Sequence, residues 1–526
     1  MPEGFPTRRA ALFSLYDKTG AAELARALHE RGTRIYATGG TRAFLEHNGI
    51  PAQDVGDVTG FPALFGGRVK TLHPKIFGAI LYDRTDPEHE RDRDTYAIPE
   101  IITVAVNLYP FEATVARPGT TLREAIEQID IGGVALLRAA GKNFDHVAVL
   151  THPSQYAEYT RALEAGEVGA ALRRRLAVSA FERTAEYDAA ISHYLATAGE
   201  VLPTELPGAL ALTLPLAKRL RYGTNPQERA AFYLDRADRL PDQLGGKALS
   251  YNNLLDLDAT LRLLSRAPLG AAFGSEHARF VRAAVVKHAV PCAVAQRSSV
   301  GLAVREALHA DPISAYGGIV ATDAPIEREA AAALREFFLE IVAAPDFEPD
   351  ALEILKKKKN LRIMRFAPEL PDQLARELRL RSALGGVLAE DDDPAAAPEQ
   401  WRVVSRKRPT EQQWHDLAFA WDVVRHVKSN GIVIVKDGTT RGICAGQTNR
   451  VSAVEIAASR AGDGARGSAC ASDGFFPFAD GLEAAVGGGC AAIIAPGGSV
   501  RDEQVIAAAD ALDVALVFSS YRYFLH

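Results

Sequence analysis

Several short strings in this chain collect residue types that bind phosphate or move protons. Two glycine-bearing turns come first: Ser14 to Gly20 reads SLYDKTG, and Thr38 to Thr41 reads TGGT. Each follows a strand-like run and leads into a helical one. Amides at a helix N-terminus (Gly40 among them), the hydroxyls of Ser14 and Thr41 and the Lys18 ammonium then suit a phosphate monoester. Neither turn contains GxxxxGK[ST], so nucleoside triphosphate hydrolysis is not indicated. Singly, each reads more readily as a plain connection; two in one half favour phosphate. Next, GGRVKTLHP (66–74) brings Arg68, Lys70 and Thr71 together in a polar loop with no evident packing role. NLYPF (107–111) ends an apolar run, placing Asn107 and Tyr109 at a strand's carboxyl end, where open α/β sheets bind ligands. EQIDIGG (127–133) supplies Asp130, which also fits a helix cap, and Lys142 follows.

Further along, the apolar run RAAVV ends in Lys287-His288, and Pro291-Cys292 comes just after. Adjacent Lys and His side chains depress each other's pKa and can leave a neutral base near pH 7. Taken alone, the pair reads at least as well as an exposed lysine and a loop histidine. The PC pair invites comparison with zinc deaminases, whose signature is HxE followed by PCxxC. Ala295 stands at the second cysteine position and no HxE precedes it, so zinc is not expected. Polar strings then accumulate: KSNGIV with Asn430, AGQTNR with Arg450, SDGFFPFAD with Phe475 and Asp480, and the final YRYFLH with Arg522. Phe475 sits in an aromatic loop flanked by Asp473 and Asp480, a composition suited to a ring-stacking wall.

These residues need a scaffold. The chain has 526 residues, 47% of them hydrophobic and 24% charged, too many for one core and ordinary for a globular protein. A net charge of -6 argues against general nucleic-acid binding. The four cysteines are scattered without a CxxC pair, which suits a reducing cytosol. No signal peptide is read at the N-terminus, and no apolar run suggests a membrane span; a cytoplasmic location is expected. Periodicity predicts strands at 10–15, 34–37, 146–150, 280–286, 432–436, 491–495 and 514–518. Helices are predicted at 21–30, 41–47, 173–195, 259–265, 412–426, 451–458 and 501–509. This alternation predicts an α/β fold. The proline-bearing stretch around 200–217 reads as a linker between domains 1–199 and 200–526, and 392–399 as an exposed loop. KKKK (356–359) reads as a solvated helix end rather than a nucleic-acid patch. No short repeat period is visible.

Six strings, SLYDKTG, GGT, GGRVKTLHP, NLYPF, EQIDIGG and LLRAAGKN, occur in the order found in the inosine monophosphate (IMP) cyclohydrolase domain of bifunctional purine-synthesis enzymes. The chain resembles that family over nearly all of residues 8–198. From about 218 to His526, RYGTNP, LSYNN, KSNGIV, AGQTNR and SDGFFPFAD resemble its formyltransferase domain, which acts on aminoimidazole carboxamide ribonucleotide (AICAR). The resemblance implies a methylglyoxal-synthase-like, doubly wound first domain and two cytidine-deaminase-like subdomains without zinc in the second. It implies two activities: formyl transfer from 10-formyltetrahydrofolate to the 5-amine of AICAR, then dehydrative closure of the formylated nucleotide to IMP.

Position by position, Ser14, Lys18, Gly40, Thr41, Arg68 and Thr71 would hold the ribose phosphate, with Asn107 beside them. Lys70, Tyr109, Asp130 and Lys142 would surround the closing ring. Lys287 and His288 would manage protons during formyl transfer and Asn430 would orient the formyl oxygen. Arg221, Tyr222, Asn253, Arg450, Phe475 and Arg522 would hold the nucleotide, and Asp480 would lie towards the folate. A homodimer is expected, with small-molecule substrates and neither nucleic acid nor membrane as partner; spacing leaves a bound monovalent cation open. Departures include Tyr16 where many members have serine and Val290 where bacterial members have asparagine. Two other readings compete. A zinc hydrolase lacks ligands, and a regulatory phosphate-binding module leaves Lys70, Asp130 and Lys142 together without a purpose.

Overall fold

A computed structural model of the chain describes residues 9–198, 206, 208–235, 239–265, 280–391 and 400–526. The predicted loop at 392–399 lies outside them, as does much of the linker. Two compact units divide between Leu214 and Pro215, within the linker stretch.

The first unit is a parallel sheet of β1 (Arg9–Ser14), β2 (Arg34–Ala37), β3 (Gln53–Asp54), β4 (Glu100–Val106) and β5 (Ala148–Leu150), in the order β3-β2-β1-β4-β5. Residues Ala10–Phe13 and Val104–Val106 are fully buried, the continuous apolar signature of strands covered on both faces. Helix Ala21–His29 buries Ala21, Leu24, Ala25 and Leu28, the one-sided spacing that predicted it. The chain builds outward from β1 to β3, then returns to add β4 on the other side of β1. That reversal opens a crevice at the carboxyl ends of β1 and β4, where SLYDKTG and NLYPF begin.

The second unit starts with a hairpin, β6 (Leu216–Leu220) and β7 (Ala230–Tyr233). A twelve-stranded sheet then contains β8 (Asp242–Gly245), β9 (Val281–Lys287), β10 (Val290–Arg297), β11 (Ile319–Thr322), β12 (Ile341–Ala344) and β13 (Arg362–Arg365). After a second hairpin, β14 (Arg379–Ala383) and β15 (Gly386–Glu390), it continues with β16 (Arg402–Val403), β17 (Ile432–Lys436), β18 (Thr439–Cys444), β19 (Ser468–Ser472), β20 (Cys490–Ala495) and β21 (Ala515–Phe518). The order is β16-β21-β20-β19-β17-β18-β10-β9-β11-β12-β13-β8. Read outward from the central β10–β18 pair, each side is a hairpin, three parallel strands and an antiparallel edge strand.

The unit is therefore one α/β motif used twice, a repeat too long and too diverged to show as a sequence period. Helices Tyr251–Leu264 and Glu411–Val424 cover one face over a shared core that includes Leu261, Val286, Trp421, Val433 and Ala471. The opposite face carries two separate cores, one per half.

Candidate active sites

The first site forms where the β1 and β4 ends meet. Asn107, just past β4, accepts the amides of Tyr16 and Asp17 at 2.6 and 3.0 Å and donates to the Asp17 carbonyl at 2.7 Å. These three bonds hold the SLYDK turn and leave the second N–H of Asn107. Thr41 acts in the same way. Its buried hydroxyl accepts from the Leu15 amide at 2.9 Å and donates to the Leu15 carbonyl at 3.1 Å, stapling the two glycine turns together. The Thr38 hydroxyl donates to Ser14 Oγ at 3.2 Å. Ser14, Lys18 and the N-terminus of helix Gly39–His47 remain to meet a ligand. A Cβ placed on Gly39 or Gly40 would meet nothing within 4 Å, so the backbone there is open to close approach.

Arg68 pairs with Glu127 while both stay largely exposed. Such pairs stabilise by about 0–1 kcal/mol, so the guanidinium can exchange its partner for a phosphate at little cost. Thr71 is buried, and its hydroxyl lies against Gly132 at the start of helix Gly132–Lys142.

Asp130 is the most constrained group. Its Oδ1 accepts the Gly133 amide at 2.7 Å, so the helix-cap reading holds. The Tyr109 amide also donates to this carboxylate, and the charge of Lys70 reaches it. Burial nevertheless raises the Asp130 carboxyl above its ordinary value, outweighing those amides and the lysine. An aspartate raised in this way is a better proton acceptor than a surface carboxylate. Buried Tyr187 fixes the backbone behind it, accepting the Asp130 amide at 2.9 Å and donating to the Gln128 carbonyl at 2.6 Å. Sequence reasoning missed Tyr187, which lies in the middle of helix Ala170–Thr197, far along the chain from the strings that carry the chemistry.

Lys142 starts from the far end of the helix that follows Asp130. It is the last residue of helix Gly132–Lys142, and ten residues of rise place it roughly 15 Å from the end that Asp130 caps. The departure Tyr16 is accommodated: its ring meets Tyr109 edge-to-face at 6.3 Å. The same ring borders a cleft of about 650 Å³ with Arg123 and Glu127 on its wall.

The second site is assembled by sheet register. His288 and Ala289 form the two-residue turn between β9 and β10, closed by the Lys287–Val290 pair. Val290 is therefore a strand residue flanking the turn. Because β10 runs antiparallel to β18, and β18 to β17, the start of β10 shares a sheet edge with the end of β18 and the start of β17. The ends of β19, β20 and β21 reach the same edge. Lys287 and His288 from the first half thus join Asn430, the 445–450 loop, the 472–480 loop and the C-terminal tail from the second. At about 4.8 Å per strand, the turn and the Asn430 segment are separated by roughly 10 Å, a span suited to a nucleotide base and a formyl donor.

Details at this edge refine individual residues. Lys287 Nζ donates to the Tyr316 carbonyl at 2.7 Å, and His288 is exposed. Asn430 follows a cis peptide bond, and its Nδ2 donates to the Gln447 carbonyl at 2.8 Å, leaving its second N–H. Arg450 is buried against Asp473 and Ser472, and so is tied to the loop that presents Phe475. Asp480 is exposed at the start of helix Ala479–Gly487. Arg522 lies over the Phe524 ring at 4.8 Å, and Arg221 over Tyr222 at 5.3 Å. Asn253 is 7% exposed and completes a capping box with Ser250; its oxygen is committed to the helix start. Asn252 donates to the Thr224 carbonyl at 3.2 Å, tying RYGTNP to that helix. Burial pushes the Cys292 thiol up to about 12, so this cysteine is no thiolate nucleophile. Among the described residues, no group of three or more His, Cys, Asp or Glu is placed to hold a metal.

Comparison with known proteins decides the family. A profile described as AICARFT/IMPCHase bienzyme matches residues 140–460, and an MGS-like domain matches 20–135. The bifunctional purine biosynthesis protein PurH of Synechococcus sp. (strain WH7803) is 46% identical over 98% of this chain and 99% of its own. The protein of the same name from Chloroflexus aurantiacus is 48% identical over 98% of each. This chain belongs to the AICARFT/IMPCHase bienzyme family. It is accordingly a bifunctional AICAR formyltransferase and IMP cyclohydrolase, catalysing the last two steps of IMP synthesis. A solved structure, that of ForH, matches 36% of this chain and 98% of its own at 34% identity, with a TM-score of 0.32.

Proposed function

We propose that ring closure runs at the β1–β4 crevice with Asp130 as base. Ser14, Lys18, the amides of Gly39 and Gly40, Arg68 and Thr71 hold the ribose phosphate, while Asn107 and Thr41 hold the turns that present them. The Asp130 carboxylate takes a proton from the carboxamide nitrogen as it attacks the formyl carbon. Lys70 stabilises the oxyanion that forms, before water leaves. Tyr109 borders the ring. Lys142 takes no part in this reading. The observation that carries it is one half-buried carboxylate, raised by desolvation, that accepts the Gly133 and Tyr109 amides and is reached by the charge of Lys70.

Formyl transfer is placed at the shared sheet edge, with 10-formyltetrahydrofolate as donor. The 5-amine of AICAR is a poor nucleophile because its lone pair is delocalised into the ring. His288 removes its proton during attack, with Lys287 beside it, and the free N–H of Asn430 meets the formyl oxygen; the bond from the formyl carbon to folate N10 then breaks, and N10 takes the proton as tetrahydrofolate leaves. Arg221, Tyr222, Phe475 and Arg522 face the nucleotide, Arg450 buttresses the Phe475 loop, and Asp480 lies towards the folate.

Incubation with AICAR and 10-formyltetrahydrofolate should yield IMP. Lys70→Ala should instead accumulate the formylated intermediate. His288→Ala should lose formyl transfer by about 10²–10⁴-fold and still close supplied intermediate to IMP. Undiminished closure by Lys70→Ala, or undiminished transfer by His288→Ala, removes the corresponding role.

Family resemblance supports a homodimer, which sedimentation equilibrium tests. Four free cysteines, three of them buried, are compatible with a cytoplasmic location. Among the described residues, no helix is long and apolar enough to cross a membrane.

A further inference from the structure

The two halves of the second unit use one anchoring device twice. Helices Tyr251–Leu264 and Glu411–Val424 begin alike: Ser250 and Thr410 cap them, and Asn253 and Gln413 complete the capping boxes. Three residues further on stand Asp256 and Asp416. Each aspartate grips the two-residue turn of the hairpin that follows it. Asp416 accepts the amides of Asp437 and Gly438 at 3.0 and 2.8 Å. Asp256 accepts the Ala289 amide at 2.7 Å, and the His288 amide donates to the same carboxylate.

Both turns hold their central residues at positive φ, +53° and +65° for Asp437 and Gly438, and +55° for both His288 and Ala289. Asp-Gly is the ordinary occupant of such a turn. His-Ala is not, because a Cβ in the left-handed region costs about 1–2 kcal/mol per residue. The second-half turn would keep its shape largely by itself. The first-half turn depends on its anchor, and it is the one that carries Lys287 and His288.

We infer that Asp256 is a positioning residue for formyl transfer: its carboxylate pins the strained His288–Ala289 turn so that the imidazole meets the nucleotide's 5-amine. This rests on the reading of His288 as the base. Asp416, with the same geometry on a turn that carries no proposed chemistry, is an internal control for the structural value of the device.

The test uses the full chain as Asp256→Ala, Asp256→Asn, Asp416→Ala and His288→Ala. Each variant is assayed for kcat and KM of formyl transfer and, without folate, for AICAR affinity by calorimetry. Displacement of a catalytic group by about 1 Å costs on the order of 100-fold. Asp256→Ala should therefore lose about that factor in kcat while AICAR affinity stays close to that of the unmodified chain. Asp256→Asn keeps an oxygen acceptor and should recover part of the loss. Asp416→Ala should lower the melting temperature and leave kcat nearly unchanged.

An unchanged kcat in Asp256→Ala, or an equal loss in Asp416→Ala, overturns the inference. Should Asp256→Ala fail to fold, Asp256→Asn decides: a lowered kcat at unchanged affinity supports the role, and an unchanged kcat refutes it. If His288→Ala is inactive while Asp256→Ala is normal, only this inference falls. If His288→Ala is fully active, the base assignment itself is wrong.

Discussion

A methyl group on Gly133 should disable one activity and spare the other. A Cβ built on Gly133 would lie 2.5 Å from Asp130 Oδ2, 2.9 Å from its Cγ and 2.9 Å from Leu108 Cδ2. Ordinary contact begins near 3.4 Å, so the carboxylate must retreat by roughly 0.9 Å. Withdrawal is constrained, because the Asp130 amide is fixed by Tyr187 and its Oδ1 by the Gly133 amide. A displacement near 1 Å at the proposed base costs on the order of 100-fold in rate, about 2.7 kcal/mol of barrier. Helix propensity works the other way, since Ala is favoured over Gly by up to about 1 kcal/mol, so the fold should survive. The assay is closure of supplied formylated intermediate to IMP, followed spectrophotometrically, alongside formyl transfer by the same preparation. Gly133→Ala should lose about two orders of magnitude in closure with formyl transfer unchanged. Closure within threefold of the unmodified enzyme would refute the placement of Asp130 at the reacting atoms.

Three further outcomes follow from the geometry. Burial raises the Asp130 carboxyl above its ordinary value, and the base must be ionised, so closure should fail on acidification at a pH above the usual aspartate range near 3.8. Lys70 favours the ionised form; Lys70→Ala should therefore move that acid limb to higher pH as well as slow the reaction, and a stationary limb in the pH–rate profile counts against the pairing. In the second unit, Asp473 is fully buried against Arg450. Asp473→Ala would strand a buried guanidinium and should cost about 3–5 kcal/mol in denaturant unfolding; a loss below about 1 kcal/mol would mean that water reaches the arginine.

Periodicity located the longer, one-sided elements and missed many of the short ones. The strand read at 432–436 is β17, and the helix read at 21–30 spans Ala21–His29. The helix read at 259–265 begins eight residues earlier, at Tyr251, because its polar first turns, which carry Asn253 and Asp256, hide its apolar face. The chemical strings were equally legible, since anion and proton chemistry demands particular residue types close together in sequence. What they could not reveal was the division of labour inside each string. Thr41 and Asn107 read as ligand contacts, and the strings did not show that both also hold the turns by hydrogen bonds. Lys142 read as part of the ring-closing set, and the string did not show that it ends the helix whose first turn Asp130 holds.

The sequence by itself determined the α/β class, the two glycine-bearing turns, the Lys287-His288 pair and, through ordered motifs, the family. Those properties depend on local spacing, which a linear string preserves. The tertiary structure alone decided that β10 pairs with β18, that His288 therefore shares an edge with Asn430, and that Asp256 grips the His288–Ala289 turn. Strand register and pseudo-symmetric pairing bring together residues more than a hundred positions apart, and no local pattern encodes that distance.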